Sequence, residues 1–237
     1  MVFQVNNIVR DVRICLEENA AISTDDLELA EIEDSETLTL NQIIKSKIVE
    51  GVRRVHEKAP THLIENAVPI TTGDTVLDGD AKTFGSSIRW NYDGTSGYVM
   101  LPDDFMRLIM FKMSDWERTV YNAISVYDAK YDQQSSRYKG LRGTPEKPLC
   151  VIAFRPEGKV LEFYSASNNS ATVTMATYLP YPVIDSNDGI RISKRCYEAA
   201  IYIIAGLTAI TYGDKEKASE LIELSNSLLG ISAQQQQ

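Results

Sequence analysis

Between Ala199 and Ala209 the chain carries no charged residue at all, running Ala-Ala-Ile-Tyr-Ile-Ile-Ala-Gly-Leu-Thr-Ala. A helix of that composition has no face to offer water, and it is too short to cross a bilayer, which takes ~20 apolar residues. It has to be enclosed by other elements, so the remaining chain must supply amphipathic partners. Ser193 is placed to cap this helix, and Gly213 with Asp214 is placed to stop it and start another. In that last helix Ala218, Leu221, Ile222, Ser225, Leu228 and Leu229 form an inward stripe.

Two further partners come from the N-terminal end. Val5, Ile8, Val9, Val12 and Leu16 fall on one face at helical spacing, predicting a helix that ends near Asn19. Thr39 followed by Gln42 is a capping box, and Ile44, Ile48, Val52, Val55 and Ala59 mark a second stripe that ends before Pro60. The outer face of this second helix holds Lys45, Lys47, Arg53, Arg54 and Lys58, with Glu50 and Glu57 among them. A face of that kind is ordinarily solvated.

From Gly73 the composition shifts to Gly, Thr, Asp and Ser, and Gly79-Asp80 and Asp93-Gly94 are turn dipeptides around short extended runs. Tyr98 to Leu101 is a strand that Pro102 stops, because Pro offers no ladder donor, and Asp103-Asp104 then favours a turn. Phe105 and Leu108 fold back as anchors, Ile109 to Met113 resumes an extended run, and Ser114 to Arg118 makes a polar corner around Trp116. Tyr127 to Tyr138 reads as a short helix or Ω-like excursion. Leu149 to Phe154 and Val160 to Tyr164 flank a Pro/Gly turn, and Ala171 to Tyr178 adds a third strand, giving an antiparallel meander. The fold expected is therefore α+β: N- and C-terminal helices forming one helical bundle with an inserted antiparallel β region. Its segments would be 1–70 and 191–231 for the helices, 71–190 for the insertion, and a polar tail at 232–237.

Little here asks for catalysis. Cys15, Cys150 and Cys196 are scattered, His56 and His62 are the only histidines, and no CxxC, Cys/His, GxSxG, HExxH, Rossmann or Walker pattern occurs. Asp78 and Asp80 flank Gly79 as a turn would, with no third carboxylate at ligand spacing. Asp185 to Gly189 hints at a calcium loop, but its Gly comes one residue early and Cys196 stands where the bidentate Glu belongs. Asp25 to Glu36 holds seven acidic residues and no basic one, interleaved with Leu27, Leu29 and Ile32. It reads as a solvated acidic loop or edge segment; a divalent-cation site is the alternative, without a metal loop's spacing. No catalytic, cofactor-binding or metal residue is predicted, and no cofactor. A net charge of −9 argues against coating nucleic acid, though it suits a wall that DNA slides past. The first residues lack a basic stretch before an apolar core, so no signal peptide is predicted and the chain is expected to act in the cytoplasm.

One ordered set of residues goes further. Leu101-Pro102-Asp103-Asp104-Phe105-Met106-Arg107-Leu108, the Trp116 to Val120 corner, Ser125, Tyr131, Gln134, and then Gly140 and Gly143 before Pro145 and Pro148 resemble head-to-tail connector (adaptor, or ring) proteins of tailed bacteriophages, especially short-tailed ones. With the flanking helices the likeness runs from about Asn6 to Leu229. It implies a structural virion protein of the neck, assembled in the bacterial host cytoplasm as a homo-oligomeric ring, usually a dodecamer. Such a ring sits between portal and tail, extends the DNA channel and docks the next tail component. Its partners would be copies of itself, the portal protein and the next tail or ring protein, with DNA passing without sequence-specific binding and no membrane involved. The alternative is a β-rich virion binding module, such as a tail fibre or cargo adaptor, without portal contact.

Arg137, Tyr138, Lys139, Arg142 and Lys147 make the most basic short stretch of an acidic chain. Its glycines do not match a phosphate loop, and Arg beside Tyr is the composition of interface anchors. These five residues are the candidate protein-docking surface, with an acidic neighbour as partner, the 25–36 segment of an adjacent copy among them. An ordinary solvated loop is the alternative.

Overall fold

The structure, a computed structural model, describes residues 1–16, 38–70, 88–136, 138 and 140–231. In chain order these form β1 (Val2–Gln4), α1 (Val5–Cys15), α2 (Leu40–Lys58), β2 (Val68–Pro69), β3 (Arg89–Trp90), β4 (Ser96–Met100), β5 (Phe105–Met113), β6 (Ile124–Ser125) and α3 (Ala129–Asp132). There follow β7 (Leu149–Arg155), β8 (Gly158–Tyr164), β9 (Val173–Pro180), β10 (Gly189–Arg191), α4 (Tyr197–Thr211) and α5 (Lys215–Leu228). The chain divides into two compact units, Met1–Asn66 with Pro182–Gln237, and Ala67–Tyr181.

This corrects the expected fold class. In place of a terminal helical bundle with an inserted antiparallel β region, the described residues form a mixed, β-rich α+β structure of five α-helices and ten strands in three sheets. The terminal part is not purely helical, because Val2–Gln4 pairs antiparallel with Gly189–Arg191. Strands that short carry no legible alternation, and their ladder bonds come from opposite ends of the chain. Nor is the β part a meander. The far edge of β8 is already taken by β4, so β9 pairs with β5 instead, in a separate sheet of order β2-β9-β5. The other sheet, β3-β4-β8-β7-β6, ends in a parallel pair between Ile124–Ser125 and Val151–Ile152.

In the first unit the capping box forms: Thr39 N–H donates to Gln42 Oε1 at 2.9 Å and Gln42 N–H to Thr39 Oγ1 at 3.4 Å. Val5, Ile8, Val9 and Val12 of α1 and Ile44, Ile48, Val52 and Val55 of α2 share a core with Ile203, Ile204 and Leu207 of α4 and Leu221 of α5. Each fully buried aliphatic side chain there contributes about 1.5–3 kcal/mol. Two glycines let helices approach closely. A Cβ on Gly51 would overlap the Ile204 side chain, and one on Gly206 would lie 3.0 Å from Ile222 and 3.2 Å from the Ala218 carbonyl. Gly213 takes φ +84°, and Asp214 caps α5 by accepting from Lys217 N–H at 3.0 Å. Ser193 does not cap α4. It precedes a 3₁₀ turn, and its buried hydroxyl donates to Asn66 Oδ1 at 2.5 Å and accepts from Glu65 N–H at 3.0 Å. Among the described residues no helix is long and apolar enough to cross a membrane.

In the second unit Phe105, Leu108, Phe111, Trp116, Leu161, Phe163 and Val173 fill one core. Trp116 meets Phe111 edge-on with ring centres 5.6 Å apart. The Pro102 turn is closed by Phe105 N–H to the Pro102 carbonyl at 3.0 Å, and Asp104 ties it to β9. The Tyr178 hydroxyl donates to Asp104 Oδ1 at 2.8 Å and Tyr181 N–H to the Asp104 carbonyl at 2.7 Å, while Phe105 stacks on Tyr178.

Candidate functional site: a cationic cleft

The site grows from three segments of the second unit. After β5 the chain turns at Trp116 and returns at Val120, which exchanges two backbone hydrogen bonds with Phe111, at 2.8 and 2.9 Å, and so brings Arg118 to the edge of the sheet. Asp128 then caps α3 through Lys130 N–H at 2.9 Å, and a 3₁₀ turn, Gln133–Ser135, follows. The third segment, residues 140–148, is fastened at several points. Gly143 N–H donates to Gln134 Oε1 at 2.8 Å, Glu117 N–H to the Pro145 carbonyl at 3.0 Å, and Leu149 N–H to Ser165 Oγ at 3.1 Å. Thr144 and Lys147 bridge each other across the tip. Gly143 lies so close to the end of β8 that a Cβ would strike the Tyr164 carbonyl and Ser165 Oγ. Only glycine permits that approach.

These segments enclose a cleft of about 430 Å³. Arg118, Lys130, Arg142 and Lys147 stand on it, and none of the four has an ion-pair partner among the described residues. Glu146, at the tip, is held as a carboxylate by hydrogen bonds from the Thr144 hydroxyl and its own N–H, which lower its pKa, and it forms no ion pair with Lys147 among the described residues. Val120, Leu141 and Leu149 give the cleft apolar wall. A smaller hollow of about 220 Å³ shares Gln134, Arg142 and Gly143. Like charges gathered around a concavity repel one another and favour an anion that enters it.

Of the five predicted docking residues, Arg142 and Lys147 come together on this cleft. Tyr138 is exposed but is not part of its wall. Arg137 and Lys139 lie outside the described residues, as do the acidic stretch 25–36 and the turn at Asp78–Asp80. Sequence reasoning missed Arg118 and Lys130. Arg118 lay within the Trp116 to Val120 corner of the connector likeness without being singled out, and the nearest signal for Lys130 was Gln134, which that likeness includes and which receives the Gly143 N–H.

The other polar clusters serve the fold. Buried Glu162 accepts from Arg155 Nε at 2.8 Å and from the Tyr164 hydroxyl at 2.5 Å, and Arg155 lies 4.0 Å over the Tyr98 ring. Burial first, then the Glu162 carboxylate, pushes the Tyr164 phenol up, so it remains a donor. Asp185 Oδ1 accepts from Asn187 and Gly189 N–H, both at 2.9 Å, closing a turn where a calcium loop was rejected. Burial pushes the Cys150 thiol well up, which makes it inert at neutral pH. Among the described residues no three His, Cys, Asp or Glu side chains are grouped to hold a metal ion. Comparison of the chain with protein-family models and with characterised proteins finds no match.

Proposed function

We propose that the protein is a structural component of the neck of a short-tailed bacteriophage, one copy of a ring that lies between portal and tail, continues the DNA channel and docks the next tail component. The observation that supports this reading is the use made of the 101–116 stretch. Leu101, Phe105, Leu108 and Trp116 are buried, and Asp104 locks the turn to β9. The residues that carry the likeness to connector proteins thus act as a fixed corner, and beside them a firmly tied loop presents cations outward. That combination suits docking and needs no reactive pair. A net charge of −9 suits a channel wall, since a phosphate-binding surface would retard the DNA. Ring closure multiplies modest contacts by effective concentration. The test is negative-stain imaging of the purified chain mixed with purified portal. A ring seated on the portal is the expected result; a chain that leaves the portal bare and binds a fibre or cargo protein instead would overturn the reading.

A further inference from the structure

Resting on that ring reading, we infer that the cleft of Arg118, Lys130, Arg142 and Lys147 is the receptor for an acidic peptide, and that its occupant is the stretch Asp25–Glu36 of the neighbouring copy. A closed ring needs a heterologous contact, in which one patch meets a different patch on the next copy. This chain carries such a pair: four cations on one cleft that have no ion-pair partner among the described residues, and seven acidic residues without a basic one in a single twelve-residue stretch. The match extends beyond charge. Leu27, Leu29 and Ile32 alternate with the carboxylates, and the cleft sets Val120, Leu141 and Leu149 among its cations. An apolar wall has nothing to offer a sugar-phosphate backbone, and four cations on a chain of net charge −9 are a poor site for a long polyanion. A free phosphate fits less well, because the Gly143 N–H that would cradle it is already donated to Gln134.

The test uses the full chain and a labelled peptide of residues 25–36. The chain carries Asn or Gln at the seven acidic positions, so that its own stretch does not compete. Capture that weakens at least about tenfold with Arg142→Glu plus Lys147→Glu, and that fades with added salt, is expected. In the otherwise natural chain the same two substitutions should abolish self-association, and Glu31→Lys with Glu33→Lys in that chain should restore it, measured by sedimentation. Peptide capture indifferent to Arg142 and Lys147, a failed charge swap in a chain with normal thermal unfolding, or displacement of the peptide by an oligonucleotide at lower concentration than by the unlabelled peptide would each overturn the inference. Portal binding on the same samples separates the two ideas. A chain that self-associates through the swap yet ignores portal overturns the neck reading alone. One that seats on portal equally well with both cations reversed and captures no peptide overturns this inference alone.

Discussion

The outer face of α2 and the rim of the 140–148 cleft are both rich in cations, yet they are charged in different senses. On α2, Arg53 reaches Glu50 at 2.8 Å and Glu57 at 2.5 Å, and Arg54 reaches Glu50 at 2.7 Å, so much of the positive charge is answered within the same helix. On the rim, Arg118, Lys130, Arg142 and Lys147 stand around a concavity with no ion-pair partner among the described residues. The first surface is neutralised by its own spacing, while the second is held in place by backbone ties and is free to attract. The two surfaces thus differ in whether their charge is already paired, and counting Lys and Arg does not report that.

The largest effect expected is on the core beneath α2. Ile204 is fully buried where Gly51 brings α2 against α4, so Ile204→Asp should cost several kcal/mol and unfold the first unit, removing the α2 surface with it. Loss of helical circular dichroism would show this. Both tryptophans, Trp90 and Trp116, belong to the second unit, so their emission reports the cleft's scaffold separately. Unchanged thermal stability would break the account of α2 as a surface fixed from below.

On the other side of the comparison, Gly143→Val should cost about 1–3 kcal/mol in urea unfolding, because the new side chain meets the Tyr164 carbonyl and Ser165 Oγ. Gly140→Val is the control. Nothing lies within 4 Å of a Cβ there, so the change should stay within about 0.5 kcal/mol. Equal effects would mean that the loop is not tied down as described.

Smaller still is the contrast between Arg53→Ala and Arg142→Ala. Losing Arg53 forfeits intrahelical pairs and should cost up to about 1 kcal/mol, less at high salt. Losing Arg142 relieves like-charge crowding and should leave the free chain's stability unchanged or slightly raised. The least effect is on pH dependence. Hydrogen bonds from Arg53, then Arg54, hold Glu50 down from 4.5 to about 2, so its contribution is complete above 4.5 and is lost as pH falls toward 2. Glu50→Gln should flatten acid unfolding in that window by a small amount, since the pair is solvent-screened.

The helices were legible because their signals are local. Apolar spacing located α1, α2, α4 and α5, and Thr39 with Gln42 marked the start of α2. What escaped was non-local. β1 and β10 are too short to show alternation, and β9 belongs to β5 because β4 occupies the edge where a meander would have placed it. Ser193 has the composition of a cap, but its hydroxyl is engaged by Glu65 and Asn66 from a distant segment. The candidate site divides the same way. Arg142 and Lys147 stood out by composition, whereas Arg118 arrives through the Phe111–Val120 bridge and Lys130 through the Gly143–Gln134 bond.

The pairing of Val2–Gln4 with Gly189–Arg191 bears on how the chain is made. On a ribosome, α1 and α2 emerge well before α4, which covers their apolar stripes and is translated only after the whole of Ala67–Tyr181. The second unit is contiguous and able to fold as it leaves the exit tunnel, while Val5, Ile8, Ile44 and Ile48 wait for a partner. Nascent chains stalled before Tyr197 would therefore carry both a finished cleft and two helices with uncovered apolar faces. That is a natural substrate for a holding chaperone, and it delays burial of those faces until α4 has been translated.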